Sequence, residues 1–143
     1  MTGTERRSRV GLAGIDRTSV GLAIGDGTAI TGFVAIGLYH HHVNPFAFPV
    51  HTIRTALPFL LGWFLMAAVV GLYDRRRPVG IRSTVATVLL TWGVGSVFGA
   101  IIRASPALPG GAPLDFVAVN LVLGAAILIP WRIAVEIGRT YEV

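Results

Sequence analysis

Residues 83–102 read STVATVLLTWGVGSVFGAII, twenty consecutive positions without a charge. At about 1.5 Å rise per residue such a helix covers roughly 30 Å, the thickness of a bilayer's hydrocarbon core. A soluble helix keeps only one apolar stripe, and this segment has no charged face to offer water. Three further stretches of similar length read the same way: Ser19 to Tyr39, Thr55 to Tyr73, and Phe116 to about Ile133. Of the 143 residues 53% are hydrophobic and 13% charged, about half the charge of an average soluble domain. The sequence therefore predicts an all-α integral membrane bundle of four transmembrane helices, with a basic segment 1–17, a membrane domain 18–137 and a short tail 138–143.

The connections set the topology. Residues 40–54 carry Asn44-Pro45-Phe46-Ala47-Phe48-Pro49, an excursion suited to the interface, and residues 103–115 carry Pro106, Pro109-Gly110-Gly111 and Pro113, enough breakers for a tight turn. Short connections make successive helices antiparallel, up-down-up-down. All twelve basic residues are arginine. Arg6, Arg7, Arg9, Arg17, Arg75, Arg76, Arg77, Arg82, Arg132 and Arg139 fall on one side of this layout, against Arg54 and Arg103 on the other. Positive residues collect on the cytoplasmic side of membrane proteins, so both termini are expected to be cytoplasmic, in a multi-pass protein of the cell membrane. The basic clusters lack the aromatic interleaving and motifs of a nucleic-acid surface, and are read as contacts with anionic lipid.

Chemistry is restricted by what is missing. There is no cysteine and no lysine, which excludes disulfides, thiolate chemistry, cysteine-ligated metals and Schiff bases. No nucleophile elbow, zincin helix or phosphate loop occurs, and no cofactor is expected. His40, His41 and His42 are consecutive, with His51 beyond; neighbouring histidines in a loop diverge, so metal binding, pH sensing and a plain solvated loop all stay open, with no metal site assigned.

Ionisable groups inside spans are rare and costly, which singles out Asp26, flanked by Gly25 and Gly27. Eight residues from Thr18, it lies about 12 Å deep. It is either a proton or cation site or a carboxyl that glues helices together. Trp63 and Trp92 sit mid-span, near the level of Asp26, Thr87 and Thr91, and buried indole N–H groups need acceptors. These residues are expected to form one polar layer. Small residues at helical spacing, Gly21, Gly25 and Gly32 on the first span and Gly95 with Gly99 on the third, predict close helix packing. Arg103 and Asp115, at helix ends joined by the Pro-Gly-Gly turn, are expected to pair, with Arg54 also on the outer side.

Gly25-Asp26, Pro58-Phe59, Gly62-Trp63, Gly71-Leu72-Tyr73, Trp92, Arg103, Pro109-Gly110-Gly111, Phe116 and Trp131-Arg132, in this order and spacing, resemble the small prokaryotic membrane proteins grouped as domain of unknown function 3054. The resemblance covers roughly residues 16–137. It implies a multi-span membrane protein and brings no activity or site residues with it. Two functions compete: proton-linked or small-solute transport or sensing through the bundle, as an oligomer of parallel subunits, and a non-catalytic accessory subunit packed through its glycines. An enzyme is not expected.

Overall fold

A computed structural model describes residues 17–74, 76–77, 80–108 and 110–141. The basic segment before Arg17 and the loop residue Arg75 lie outside them. The described chain is four helices: α1 (Arg17–His40), α2 (Pro49–Val69), α3 (Ile81–Ala104) and α4 (Leu114–Tyr141). All four are long and apolar enough to cross a membrane. They pack as a ring in chain order, α4 closing onto α1, while the diagonal pairs meet only across the core, through aromatic contacts such as Phe33–Trp92 and Phe59–Phe116.

The distribution of side chains is inverted relative to a water-soluble bundle. Leu61, Leu65, Leu89, Leu90, Ile101 and Val122 face outward, whereas Asp26, Thr91, Ser96, Asn120, Arg132 and Glu136 are buried. Exposed apolar surface on this scale is compatible with lipid, not with water. On α4 the buried residues Asn120, Gly124, Leu128, Arg132 and Glu136 recur every fourth position, one stripe along the inner face.

Close packing rests on glycine. A Cβ on Gly62 would overlap the Gly95 carbonyl, and one on Gly99 would stand 2.8 Å from the Pro58 oxygen. Gly95 and Gly99 therefore let α3 press against the α2 backbone. Gly124 seats the Trp92 ring and Gly25 seats the Trp131 ring in the same manner. Gly21 and Gly32 have no neighbour within 4 Å of a would-be Cβ and lie outside the contacts made within this chain. The core joins Ile30, Phe59, Trp63, Val88, Trp92 and Leu128.

Helix α2 begins at Pro49, six residues ahead of the expected Thr55, so that His51 and Arg54 lie on the helix and not in the connection, because proline is well suited to a first helical position. Two further helix ends differ from the sequence expectation, and both place functional groups. The second apolar run ends as a helix at Val69, four residues before Tyr73. Gly71 takes a left-handed φ of 64°, with Leu72 N–H donating to Ala67 O at 2.8 Å and Gly71 N–H to Ala68 O at 3.3 Å. This is a Schellman closure, in which a glycine without Cβ strain reverses the chain and the next apolar residue packs back. Leu72 accordingly enters the core, and Tyr73 turns in under the bundle. In the other case α4 continues to Tyr141, eight residues past Ile133, so Arg132 lies inside the helix bundle and not at its surface.

The end of α1 is closed similarly, but with His42 at φ 62° in the glycine position. Val43 N–H donates to Leu38 O at 2.9 Å and His42 N–H to Tyr39 O at 3.0 Å. A left-handed histidine is strained, because its Cβ crowds the backbone. His42→Gly should thus keep or raise stability, by up to about 1 kcal/mol, read by thermal unfolding in detergent. A loss above that size would mean that the imidazole itself holds the loop. Among the described residues no three His, Asp or Glu side chains come together as a metal site.

Candidate functional site: a buried aspartate–arginine centre

Asp26 is fully buried and both of its oxygens are saturated. Oδ1 accepts from Trp131 Nε1 at 3.0 Å and from Arg132 Nε at 2.8 Å. Oδ2 accepts from Tyr73 OH at 2.6 Å and from Trp63 Nε1 at 3.3 Å, and it also takes the Arg132 Nη2 donor. Arginine thus grips the carboxylate with a two-pronged fork, the strongest geometry this pair offers. The Arg132 guanidinium lies over the Tyr73 ring, 5.2 Å from its centroid, which adds a cation–π contact. Tyr73 also stacks against Phe64, 6.5 Å between centroids.

Each of these groups is placed by a local feature. Gly25 leaves room for Trp131 beside Asp26. The Gly71 reversal delivers Tyr73, whose carbonyl accepts from Ser19 Oγ at 3.1 Å. The long α4 brings Trp131 and Arg132 to the depth of Asp26. The centre therefore ties α1 to α2, to α4 and to the α2–α3 loop through side chains alone.

Of the polar layer expected from sequence, the structure brings Asp26 and Trp63 together. Trp92 is directed elsewhere, donating to Leu121 O at 3.0 Å. Thr87 donates to Ser83 O at 2.8 Å and accepts from Arg77. Thr91 is buried with no partner for its hydroxyl among the described residues. These hydroxyls lie on α3, which contributes nothing to the aspartate because α3 and α1 are diagonal in the ring. Tyr73, Trp131 and Arg132 take the places assigned to them. The arginine count by side places Arg132 at a surface; the signal that points elsewhere is that a lone carboxylate in a span demands a cation, and Arg132 continues the inner stripe of α4.

Below the centre, Glu136 accepts the Gly80 N–H at 2.9 Å, fastening the start of α3 to α4, and lies 3.7 Å from Arg139. Burial, and then the Arg132 charge, pull the Arg77 pKa below the ordinary arginine value, against the opposing pull of Glu136. Arg76 stays exposed in the same loop. Above the centre, Asn120 Nδ2 donates to Ser96 Oγ at 2.5 Å, a second polar tie between α3 and α4.

At the far end, Arg103 and Asp115 are not an ion pair. The Arg103 guanidinium sits 5.1 Å over the Phe116 ring, packed against Gly110, and its buried Nε has no partner among the described residues. Asp115 instead stands exposed in the first turn of α4, where a negative charge complements the helix dipole. Arg54 is exposed on α2. Swapping charges with Arg103→Asp and Asp115→Arg should give single-variant effects that add within about 0.5 kcal/mol. Recovery in the double variant well beyond that would restore the pairing.

Fold and centre together define a four-helix membrane-type bundle built around one buried aspartate–arginine pair. The chain matches the family model "Protein of unknown function (DUF3054)" over residues 23–135 and belongs to that family. The match spans Asp26, Trp63, Tyr73, Trp131 and Arg132, the whole of the centre. No curated protein and no solved structure matches the chain.

Proposed function

We propose that the protein is a non-catalytic, accessory membrane subunit whose Asp26–Arg132 centre pins the peripheral helix α1 to the rest of the bundle. The observation that carries this reading is the saturation of Asp26: five donor contacts leave its carboxylate no free direction toward a substrate. A pathway through the middle of one chain is also disfavoured, because Ile30, Val88, Leu128 and Trp92 fill the interior between the centre and the Ser96–Asn120 pair. Helix α1 has much to gain from such a pin, since only 17% of its span is buried, as on its partner α4, against 44% for α2 and 39% for α3. In this reading the bundle lies in the cell membrane with both termini cytoplasmic, and copies associate in parallel, with Gly21 and Gly32 facing outward.

Asp26→Asn separates the pin from a proton site. Loss of assembly or stability in detergent, without a change in proton flux across reconstituted vesicles, supports the pin. Loss of a proton flux that the unaltered protein displays, with assembly intact, overturns it in favour of transport. Removing Arg132 from the surface count leaves nine arginines against two, still a strong bias. Reporter fusions at Gly80 and Gly110 should accordingly report opposite sides, Gly80 inside. Both on one side, or Gly110 inside, contradicts the topology.

A further inference from the structure

A small polar cavity of about 30 Å³ opens beneath the centre, lined by Asp74, Arg77, Thr84, Arg132, Glu136 and Arg139. Its chemistry is separate from the pin. Arg132 spends Nε and Nη2 on Asp26, so its remaining nitrogen is the part of this buried side chain left for the cavity. The lining charges balance: Arg77 and Arg139 oppose Asp74 and Glu136, and Arg132 is already neutralised by Asp26. A net anion or cation has nothing to recommend it there. Water does, because a cavity holds a water once it offers roughly 10–15 Å³ and two to four polar partners. The volume admits about two by that measure.

Above this level the interior changes character. Thr84 on α3 is followed one turn later by Val88, fully buried, which is level with Leu128 on α4 and packs in the same core as Ile30 and Trp92. We propose that the cavity is a water-filled vestibule that gives the aqueous phase on the α2–α3 loop side contact with the Asp26–Arg132 pair, while the apolar layer of Ile30, Val88, Trp92 and Leu128 seals the pair from the other side. The vestibule takes water. It confers sidedness on the centre: any change of protonation or hydration at the pair is supplied from the loop side alone.

The chain contains no cysteine, so single introduced thiols report without background. Thr84→Cys places a thiol in the vestibule, Val88→Cys one turn beyond it, and Arg76→Cys marks the loop side. In reconstituted vesicles Ag⁺, an ion close to water in size, is applied from one side at a time, and surviving thiol is counted with a fluorescent maleimide after unfolding. Thr84→Cys is expected to react at least about tenfold faster than Val88→Cys, and only from the side on which Arg76→Cys reacts. Equal rates at the two positions, or reaction of Thr84→Cys from the opposite side, overturns the proposal. Should Thr84→Cys fail to fold, Val135→Cys, which lines the cavity from α4, is read in its place. Because Ag⁺ access does not depend on whether Asp26 pins α1, this outcome is independent of the Asn substitution above.

Discussion

Asp26→Ala is expected to destabilise the bundle by about 3–5 kcal/mol. The magnitude follows from what is left behind. Arg132, 6% exposed, would keep its charge in a low-dielectric interior without its Asp26 partner, and the Tyr73 and Trp131 donors would lose their acceptor, while Trp63 would keep only the Tyr73 oxygen at 3.2 Å. A buried pair is weak evidence for net stability, because desolvation opposes its attraction, yet breaking it from one side exposes the full desolvation cost. The damage should be local first. Helix α1 packs its backbone closely on α2 and α4 and reaches α3 through the Phe33–Trp92 edge contact, so its proteolytic release should precede loss of the α2–α3–α4 core. Measured by equilibrium unfolding in mixed micelles, a loss under about 1 kcal/mol would show that the centre holds nothing.

The second large effect is expected at the α2–α3 seam. Gly62→Leu must push the helices apart, since even a Cβ there overlaps the Gly95 carbonyl, and backbone cannot yield as a side-chain tip can. Overpacking in a filled interior costs about 1–3 kcal/mol and occasionally more, and here the displaced seam also carries Phe59, Trp63 and Trp92. Gly21→Leu serves as the control, having open space around it. The seam account requires Gly62→Leu to be destabilised by at least about 1 kcal/mol relative to Gly21→Leu in the same assay; equal behaviour contradicts it.

The spans were readable because lipid imposes a length and an all-round apolar surface on any helix, and residues 83–102 satisfy both without knowledge of a partner. Asp26 was readable for the converse reason, as a charge where charges are expensive. Its partners were not. Hydropathy ends a span at the first arginine, which put Arg132 at a surface, whereas neutralisation by Asp26 lets α4 carry it inside. Tyr73 looked like the last residue of a span because the Gly71-Leu72 closure acts on backbone hydrogen bonds that hydropathy does not register. The threonines on α3 lay at the right depth but on the wrong helix of the ring, and depth alone does not decide which helices are neighbours.

The central claim is that Asp26 and Arg132 act as one unit, and a double-mutant cycle measures that unit directly. Asp26→Leu and Arg132→Met, singly and together, are to be unfolded reversibly in mixed micelles. The account predicts that the double variant loses clearly less than the sum of the two single losses, with a coupling at the upper end of the roughly 0.5–3 kcal/mol seen for contacting residues, because the second change removes the charge that the first left unpaired. Additive losses, with a coupling below about 0.5 kcal/mol, would contradict it.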